Sequence, residues 1–359
     1  MSVRHACLYA VFLFGFVWPA FAEDEDALDA LIDDALSQKV PGTILLVEGP
    51  EVSFFKARGV ADRKTKAPIR QDNLIRAASV TKTYVAALAV MASQEGVIDL
   101  DVSIDTYLSN ETLAQLPPAR HPTMRQLLNH TSGAPEYYGT AAYLSWDREE
   151  PVSTARVLAT VSEWSPANAP GEAFSYSNTN YHLAALVLEA VYAKALSSLL
   201  QERLFGPLEL AATFYNQHRP PGDGIHGYGS PDDEWRDTFE WRDNSGPSSG
   251  VKASAADLAT CMRALFAEDG ALSHVGATMV ENPIGDDAHW SYGLGAEIYV
   301  SQNGDRYYGH TGDIFGYLTA VFYAPAHDTV IVLHMNRWNR DVFEKTLEQV
   351  LREVGRRRR

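Results

Sequence analysis

Cysteine is almost absent from this 359-residue chain, which carries only Cys7 and Cys261. Cys7 lies in a leader-like segment, so a processed chain has no internal disulfide. Cys261 sits among Leu258, Met262 and Leu265 at helical spacing, the setting of a small core residue rather than a nucleophile. Neither paired cysteines nor His-Glu-x-x-His occur, which leaves no pattern for a zinc centre, and no metal or cofactor is expected. Positive charge is also scarce: 30 Lys and Arg face 46 Asp and Glu, a formal net charge of −16. Such a surface does not neutralise phosphates, so nucleic acid is not an expected partner. Long apolar runs are missing too. The longest, residues 6–18, is interrupted by Pro19 after about 13 residues, short of the roughly 20 that a spanning helix needs. Arg4 and His5 precede it and Ala20-Phe21-Ala22 follows, the pattern of a secretory signal cleaved after Ala22. Residues 1–22 are therefore expected to be a signal peptide, and the protein to be exported, periplasmic or secreted, with no transmembrane segment after processing.

What remains is ordinary globular composition, 46% hydrophobic and 21% charged, enough for one large core or two smaller ones. Apolar residues at helical spacing mark residues 27–36, and Pro41-Gly42 ends the pattern. Residues 43–48 and 51–58 read as strands joined at Gly49-Pro50. Near the other end, residues 291–300, 306–308, 317–323 and 329–334 read as strands, followed by an amphipathic helix over 342–354. Between them the patterns are helical, at 80–94, 123–128, 152–161, 179–193 and 255–266. Gly96 closes the first of these, and Ser254 with Asp257 opens the last as a near capping box. The polar, aromatic stretch 230–250 has no period and reads as a long surface loop, a length that suits the wall of a site. The expected fold is α/β (α+β). Residues 23–76 and 250–359 form an antiparallel sheet flanked by terminal helices, residues 77–249 a mostly helical insert, and the active site lies at their junction.

A serine three residues ahead of a lysine places both side chains on one helix face, where the amine can take the hydroxyl proton. The spacing occurs three times. Ser53 and Lys56 lie in a strand pattern, which sends them to opposite faces. Ser249 and Lys252 precede the helix start at Ser254. Only Ser79 and Lys82 stand where a strand-like run passes into a long helix. Tyr176-Ser177-Asn178 and His310-Thr311-Gly312 each occur once. A tyrosinate or lysine can serve as base, an asparagine amide can orient lysine and substrate, and a glycine beside a strand lets substrate approach the backbone. A competing nucleophile is Ser248, since Gly246-Pro247-Ser248-Ser249-Gly250 has the α/β-hydrolase elbow spacing. However, no buried strand pattern precedes it and the next helix starts late.

Together, Ser79-Val80-Thr81-Lys82, Tyr176-Ser177-Asn178 and His310-Thr311-Gly312 resemble the serine β-lactamase and penicillin-binding-protein superfamily. The closest branch is that of class C β-lactamases, D-alanyl-D-alanine carboxypeptidases and related esterases. Leu127 through Gly133, Pro170-Gly171 and Gly316-Tyr317 extend the likeness over nearly the whole processed chain. The resemblance implies an acyl-enzyme hydrolase acting on an amide or ester in a small molecule or peptide. Ser79 would be acylated and Lys82 would activate it. Tyr176 would relay a proton to the leaving group, and Asn178 would hold Lys82 and the substrate. The N–H groups of Ser79 and Asp313 would form the oxyanion hole, with His310, Thr311 and Gly312 lining the substrate strand. His130 would be structural. His310 replaces the lysine of many β-lactamases, so efficient β-lactam hydrolysis does not carry over. Two further expectations follow: imidazole titration at His310 shapes the acid limb of activity, and the Asp313 charge repels substrate carboxylates. The alternative is a catalytically silent member that binds cell-wall fragments or a partner through the same groove.

Replacing Ser79 by Ala is expected to reduce hydrolysis by on the order of 10⁴-fold or more, whereas Ser248→Ala stays active. Steady-state kinetics and labelling with a fluorescent penicillin or phosphonate read the result; the reverse pattern would overturn the nucleophile.

Overall fold

Four consecutive apolar residues, Ile44-Leu45-Leu46-Val47, can be buried together in one strand only if both faces of its sheet are covered. The computed structural model describes residues 20–115, 121–216, 224–242 and 246–356, and in it both faces are covered. The expected signal peptide lies outside the described residues up to residue 19. Ile44 and Leu46 enter one hydrophobic cluster with Val330 and Val332. Leu45 and Val47 enter another with Ile331 and Leu333. The period of two along each strand thus supplies two cores from one sheet.

That sheet holds β1 (Gly42–Gly49), β2 (Val52–Gly59) and six later strands. Three short strands, β3 (Ile75–Arg76), β4 (Thr213–Tyr215) and β5 (Val251–Ala253), form a second sheet in the order β3-β5-β4. The later strands are β6 (Ile284–Asp287), β7 (Trp290–Tyr292), β8 (Glu297–Val300), β9 (Arg306–Ile314), β10 (Tyr317–Ala324) and β11 (Thr329–Met335). The large sheet runs β2-β1-β11-β10-β9-β8-β7-β6, so the two chain ends pair at β1 and β11. Its pairings are antiparallel.

On one face lie the terminal helices Ala20–Ser37 and Arg340–Arg356, which contribute Leu28, Ile32, Phe343 and Val350. On the other, the cluster runs without a break from Ile44 through Val85 and Leu88 of the helix Thr81–Gln94 to Leu127 and Leu188. Sheet and helical segment therefore share a core. The Thr81–Gln94 helix is buried around nearly its whole circumference, which suits its run of small residues, Ala86, Ala87, Ala89 and Ala92. Among the described residues no single helix is long and apolar enough to cross a membrane.

Several expectations change in detail. Residues 291–300 are not one strand. Gly293 and Gly295 break the run into β7 and β8, and Gly295, at φ +66°, presses so close to the buried helix that a Cβ would lie 2.4 Å from Ala86 Cβ. β9 extends past residue 308 to Ile314, bringing His310 through Asp313 into the sheet. β3 lies within the strand-like run that precedes Ser79, whereas β4, β5 and β6 are too short or too polar to show as runs. Ser254 caps the helix Ala255–Phe266 as expected, but the Asp257 carboxylate accepts from Ala212 N–H and Thr213 Oγ1 rather than closing a box. The 230–250 stretch is more than a surface loop: Thr238 is buried and donates to the Phe315 carbonyl, while Arg76 donates to the Phe239 and Trp241 carbonyls. Cys261 is a core residue whose thiol is pushed up to about 12 by burial.

Gly312 is where β9 meets the turn before the buried helix. A Cβ there would sit 2.3 Å from the Ala77 carbonyl oxygen and 3.0 Å from Ala78 Cβ. The glycine is thus required by the protein's own backbone, whatever it also offers a substrate beside the strand. Gly312→Ala should displace the turn carrying Ser79 and lower kcat/KM by on the order of 10²-fold, as expected for an ångström-scale misplacement. Circular dichroism and the activity assay together test this: native secondary structure with unchanged activity would show that the contact does not position the nucleophile.

Candidate active site

Ser79 stands in a single 3-10 turn, Ala78–Val80, between β3 and the Thr81–Gln94 helix. Ala78 has φ +48°, an uncommon conformation for a residue with a Cβ, so the nucleophile follows a strained residue. One turn on, Lys82 brings Nζ to 3.0 Å from Ser79 Oγ. The ammonium has two further acceptors, Asn178 Oδ1 at 2.7 Å and the Ser248 carbonyl at 3.0 Å. Lys82 is fully buried, and burial pushes its amine down to about 7 against the opposing pull of Glu136 and Glu297. A neutral amine has two hydrogens for Asn178 and Ser248 and one lone pair for the Ser79 hydroxyl proton. Two acceptors and one hydroxyl donor around the amine therefore fit the base form of the residue.

The Tyr176 hydroxyl neighbours Ser79, and its ring centroid lies 5.0 Å from Lys82 Nζ. Burial holds the phenol well above its usual pKa, and the nearby carboxylates Glu297 and Glu136 add to that. Tyr176 is therefore a neutral phenol, a proton donor and relay rather than a standing tyrosinate. His130 stacks against it at 4.0 Å between centroids. Its Nδ1 accepts from Ser177 N–H at 3.1 Å and lies 3.0 Å from Asn180 Nδ2. Burial, then the charge of Lys82, keeps this imidazole neutral. The expected structural role fits that geometry.

On β9, His310 Nε2 lies 2.8 Å from the Tyr292 hydroxyl, and Nδ1 faces the Thr311 carbonyl. Burial and the Lys82 charge pull His310 down to about 3. Its 3.4 Å approach to Glu297 is consequently no ion pair at neutral pH. Burial thus takes His310 out of the titrating range expected of it from sequence. Thr311 donates Oγ1–H to Glu297 Oε1 at 2.7 Å and N–H to Oε2 at 3.1 Å. Asp313 accepts from Trp338 Nε1 at 2.7 Å and pairs with Arg340. Its charge is therefore not the bare repulsive one expected from sequence.

Two carboxylates escaped the sequence reading. Glu136 accepts from Asn178 N–H at 2.8 Å, Asn178 Nδ2 at 2.9 Å and Tyr138 N–H at 2.6 Å, and burial raises its pKa. Glu297 is pushed up to about 7 by burial, opposed by its Thr311 bonds and Lys82. Glu136 sits in a polar loop with no local signal. Glu297 had one: it is the lone acid in the apolar run Leu294-Gly295-Ala296-Glu297-Ile298. Ser248 is no elbow nucleophile, for a short strand, β5, follows its turn and its contribution is the carbonyl oxygen. Ser79, Tyr176, Asn178, both carboxylates and the β9 residues His310, Thr311 and Asp313 border a cleft of about 390 Å³.

The Beta-lactamase family profile matches residues 26–356. The chain belongs to the Beta-lactamase family. Among relatives in that family, penicillin-binding protein 4* of Bacillus subtilis is 23% identical over 324 residues, covering 85% of this chain and 70% of that protein. A D-aminopeptidase of Cereibacter sphaeroides is 28% identical over 217 residues, 58% of this chain but only 40% of the relative. In structure, the D-amino acid amidase of Ochrobactrum anthropi SV3 superposes with a TM-score of 0.82 at 24% identity, covering 94% of this chain and 100% of that one. This Beta-lactamase family chain is an enzyme, a serine hydrolase with the antiparallel-sheet and helical-segment fold expected from its sequence.

Because Lys82 must be neutral to accept the Ser79 proton, kcat/KM should fall as pH drops below about 7. Glu297→Gln removes a charge that favours the ammonium, so the acid limb should move to lower pH, whereas His310→Gln should leave its midpoint in place. Profiles from pH 5 to 9 test both; an unmoved limb in Glu297→Gln would separate that carboxylate from Lys82.

Proposed function

We propose that this chain hydrolyses amides and short peptides of D-amino acids bearing a free amino group, through an acyl-enzyme on Ser79. The observation that carries the reading is Glu136, a carboxylate bordering the cleft beside Ser79 whose ionised form is penalised by burial. A substrate ammonium supplies the counter-charge that such a group lacks. The D configuration is supported by the relatives and structural neighbours alone.

In this reading Ser79 Oγ attacks the scissile carbonyl and its proton passes to Lys82 Nζ, with Asn178 holding the amine in place. The oxyanion is received by the N–H groups of Ser79 and Asp313. Register supports Asp313: Ile314 and Tyr317 close the β9–β10 hairpin, so alternation turns the Thr311 and Asp313 amides off β10. The Thr311 amide reaches Glu297, and among the described residues no strand pairs β9 on that side beyond Gly309. Tyr176 gives its phenolic proton to the departing amine and recovers one from Lys82. Water then attacks the ester, losing its proton through the same pair, and Ser79 leaves as the hydroxyl. His310, Thr311 and Gly312 line the strand along which substrate lies, with His310 as a neutral hydrogen-bonding group. Export to the periplasm or beyond the cell belongs to the same proposal and is supported by the pattern of residues 4–22.

D-phenylalaninamide should be cleaved at least about 10²-fold faster than its N-acetyl derivative, and Glu136→Gln should remove most of that preference, the scale for an unpaired buried charge. kcat/KM for both substrates and the L-amide reads the outcome. Equal rates on free and acetylated amides would overturn the role of Glu136, and a preference for the L-amide would overturn the D assignment.

A further inference from the structure

The cleft that Glu136 borders is also lined, on its sheet side, by a salt bridge internal to the protein. Asp313 follows Gly312 on β9, and both groups that meet its carboxylate come from the segment that leads into the C-terminal helix, Trp338 just before it and Arg340 at its first residue. Trp338 Nε1 donates to Oδ1 at 2.7 Å, and Arg340 Nε pairs with Oδ2. Trp338 is itself fixed, its ring edge-on to Phe315 at 5.0 Å and its N–H bonded to the Tyr228 carbonyl at 2.8 Å. Arg340 is the freer member, with 57% of its side chain exposed against 35% for Asp313, and both border the cleft that holds Ser79.

We propose that Asp313 occupies, from within the protein, the place of a leaving-group carboxylate, making the enzyme selective for substrates whose leaving group is neutral. This rests on the reading above, with the amino end at Glu136 and the leaving group assigned to the β9 and Arg340 part of the same cleft. An arginine fork at a cleft mouth suits a substrate carboxylate. Here the Nε of that guanidinium is already engaged by a carboxylate held one residue from Gly312 and steadied by an indole donor. A peptide with a free carboxylate next to the scissile bond must displace this partner and then share one guanidinium between two negative groups. An amide, an ester or a C-terminally blocked peptide meets a neutral pair and pays no such penalty. Exclusion therefore works by occupancy of the receptor.

The two mechanisms, occupancy and simple repulsion, separate in a double-mutant cycle. The measured quantity is the ratio of kcat/KM for D-phenylalanyl-glycine to that for D-phenylalanyl-glycinamide, which differ in one terminal charge. Asp313→Asn keeps an acceptor for Trp338 and frees Arg340, so the ratio should rise by about tenfold or more. Adding Arg340→Gln should cancel the gain. An unchanged ratio in a folded Asp313→Asn or Asp313→Ser enzyme, or a gain that survives loss of Arg340, would overturn the proposal. Phenylacetyl-glycolate and phenylacetyl-glycolamide, esters without an amino group, provide the same ratio independently of Glu136. Cleavage of the esters but of neither peptide would overturn the free-amine reading while the ester ratio still decides the role of Asp313.

Discussion

A lysine amine buried beside the nucleophile is the constraint on which the site depends. Lys82 is costly to bury as an ammonium and useful as a base when neutral, so the same burial that opposes its charge prepares its function. The cost is limited by three acceptors, one local and two from distant stretches of chain: Ser79 from its own turn, Asn178 from the helical segment and Ser248 from the loop before β5. None of these contacts is local apart from the first. The amine becomes a competent base only when the sheet, the Thr81–Gln94 helix and the Tyr176 segment have docked.

Docking at that precision is a backbone matter. Glycines stand on both sides of the segment that carries Ser79 and Lys82, Gly312 against the Ala77 carbonyl and Gly295 against Ala86 and the Lys82 carbonyl. Thr83 Oγ1 donates to the Gly295 carbonyl at 2.8 Å and locks that approach. The helix has alanines where larger side chains would hold the sheet away. The spacing between β9 and Ser79, which fixes any oxyanion geometry, is thus set by absent side chains as much as by present ones.

The framework was readable because its signals are periodic. The strands of residues 43–58 and 329–334 alternate or run apolar, the helices carry 3.6-residue stripes, and Ser79, Lys82, Tyr176 and Asn178 lie at the ends of such elements, where the structure brings them together. Three kinds of feature were not readable. Glu136 and Glu297 matter through distance to Lys82, which links residues far apart in sequence. The Ser248 contribution is a carbonyl, identical in every residue type. The electrostatic behaviour of His310 and Asp313 depends on burial and on Tyr292, Trp338 and Arg340, which no local pattern connects to them. Residue type alone gave the wrong sign of emphasis: His310 suggested a titrating group and is a neutral one, while Asp313 suggested a free charge and is a paired one.

The Ser248 carbonyl has a consequence of its own. Because the oxygen belongs to the main chain, alanine scanning leaves it in place, and sequence drift at position 248 is invisible to Lys82. Movement of the turn is not. The segment from Gly246 to Gly250 is fastened by Asn216, whose side-chain oxygen accepts from Gly246 N–H at 2.6 Å. A ligand that lifts this turn would strip one acceptor from the amine and disfavour its protonated form. The turn would then act as a rheostat, letting occupancy of the outer cleft adjust nucleophile strength without any contact to the reacting serine.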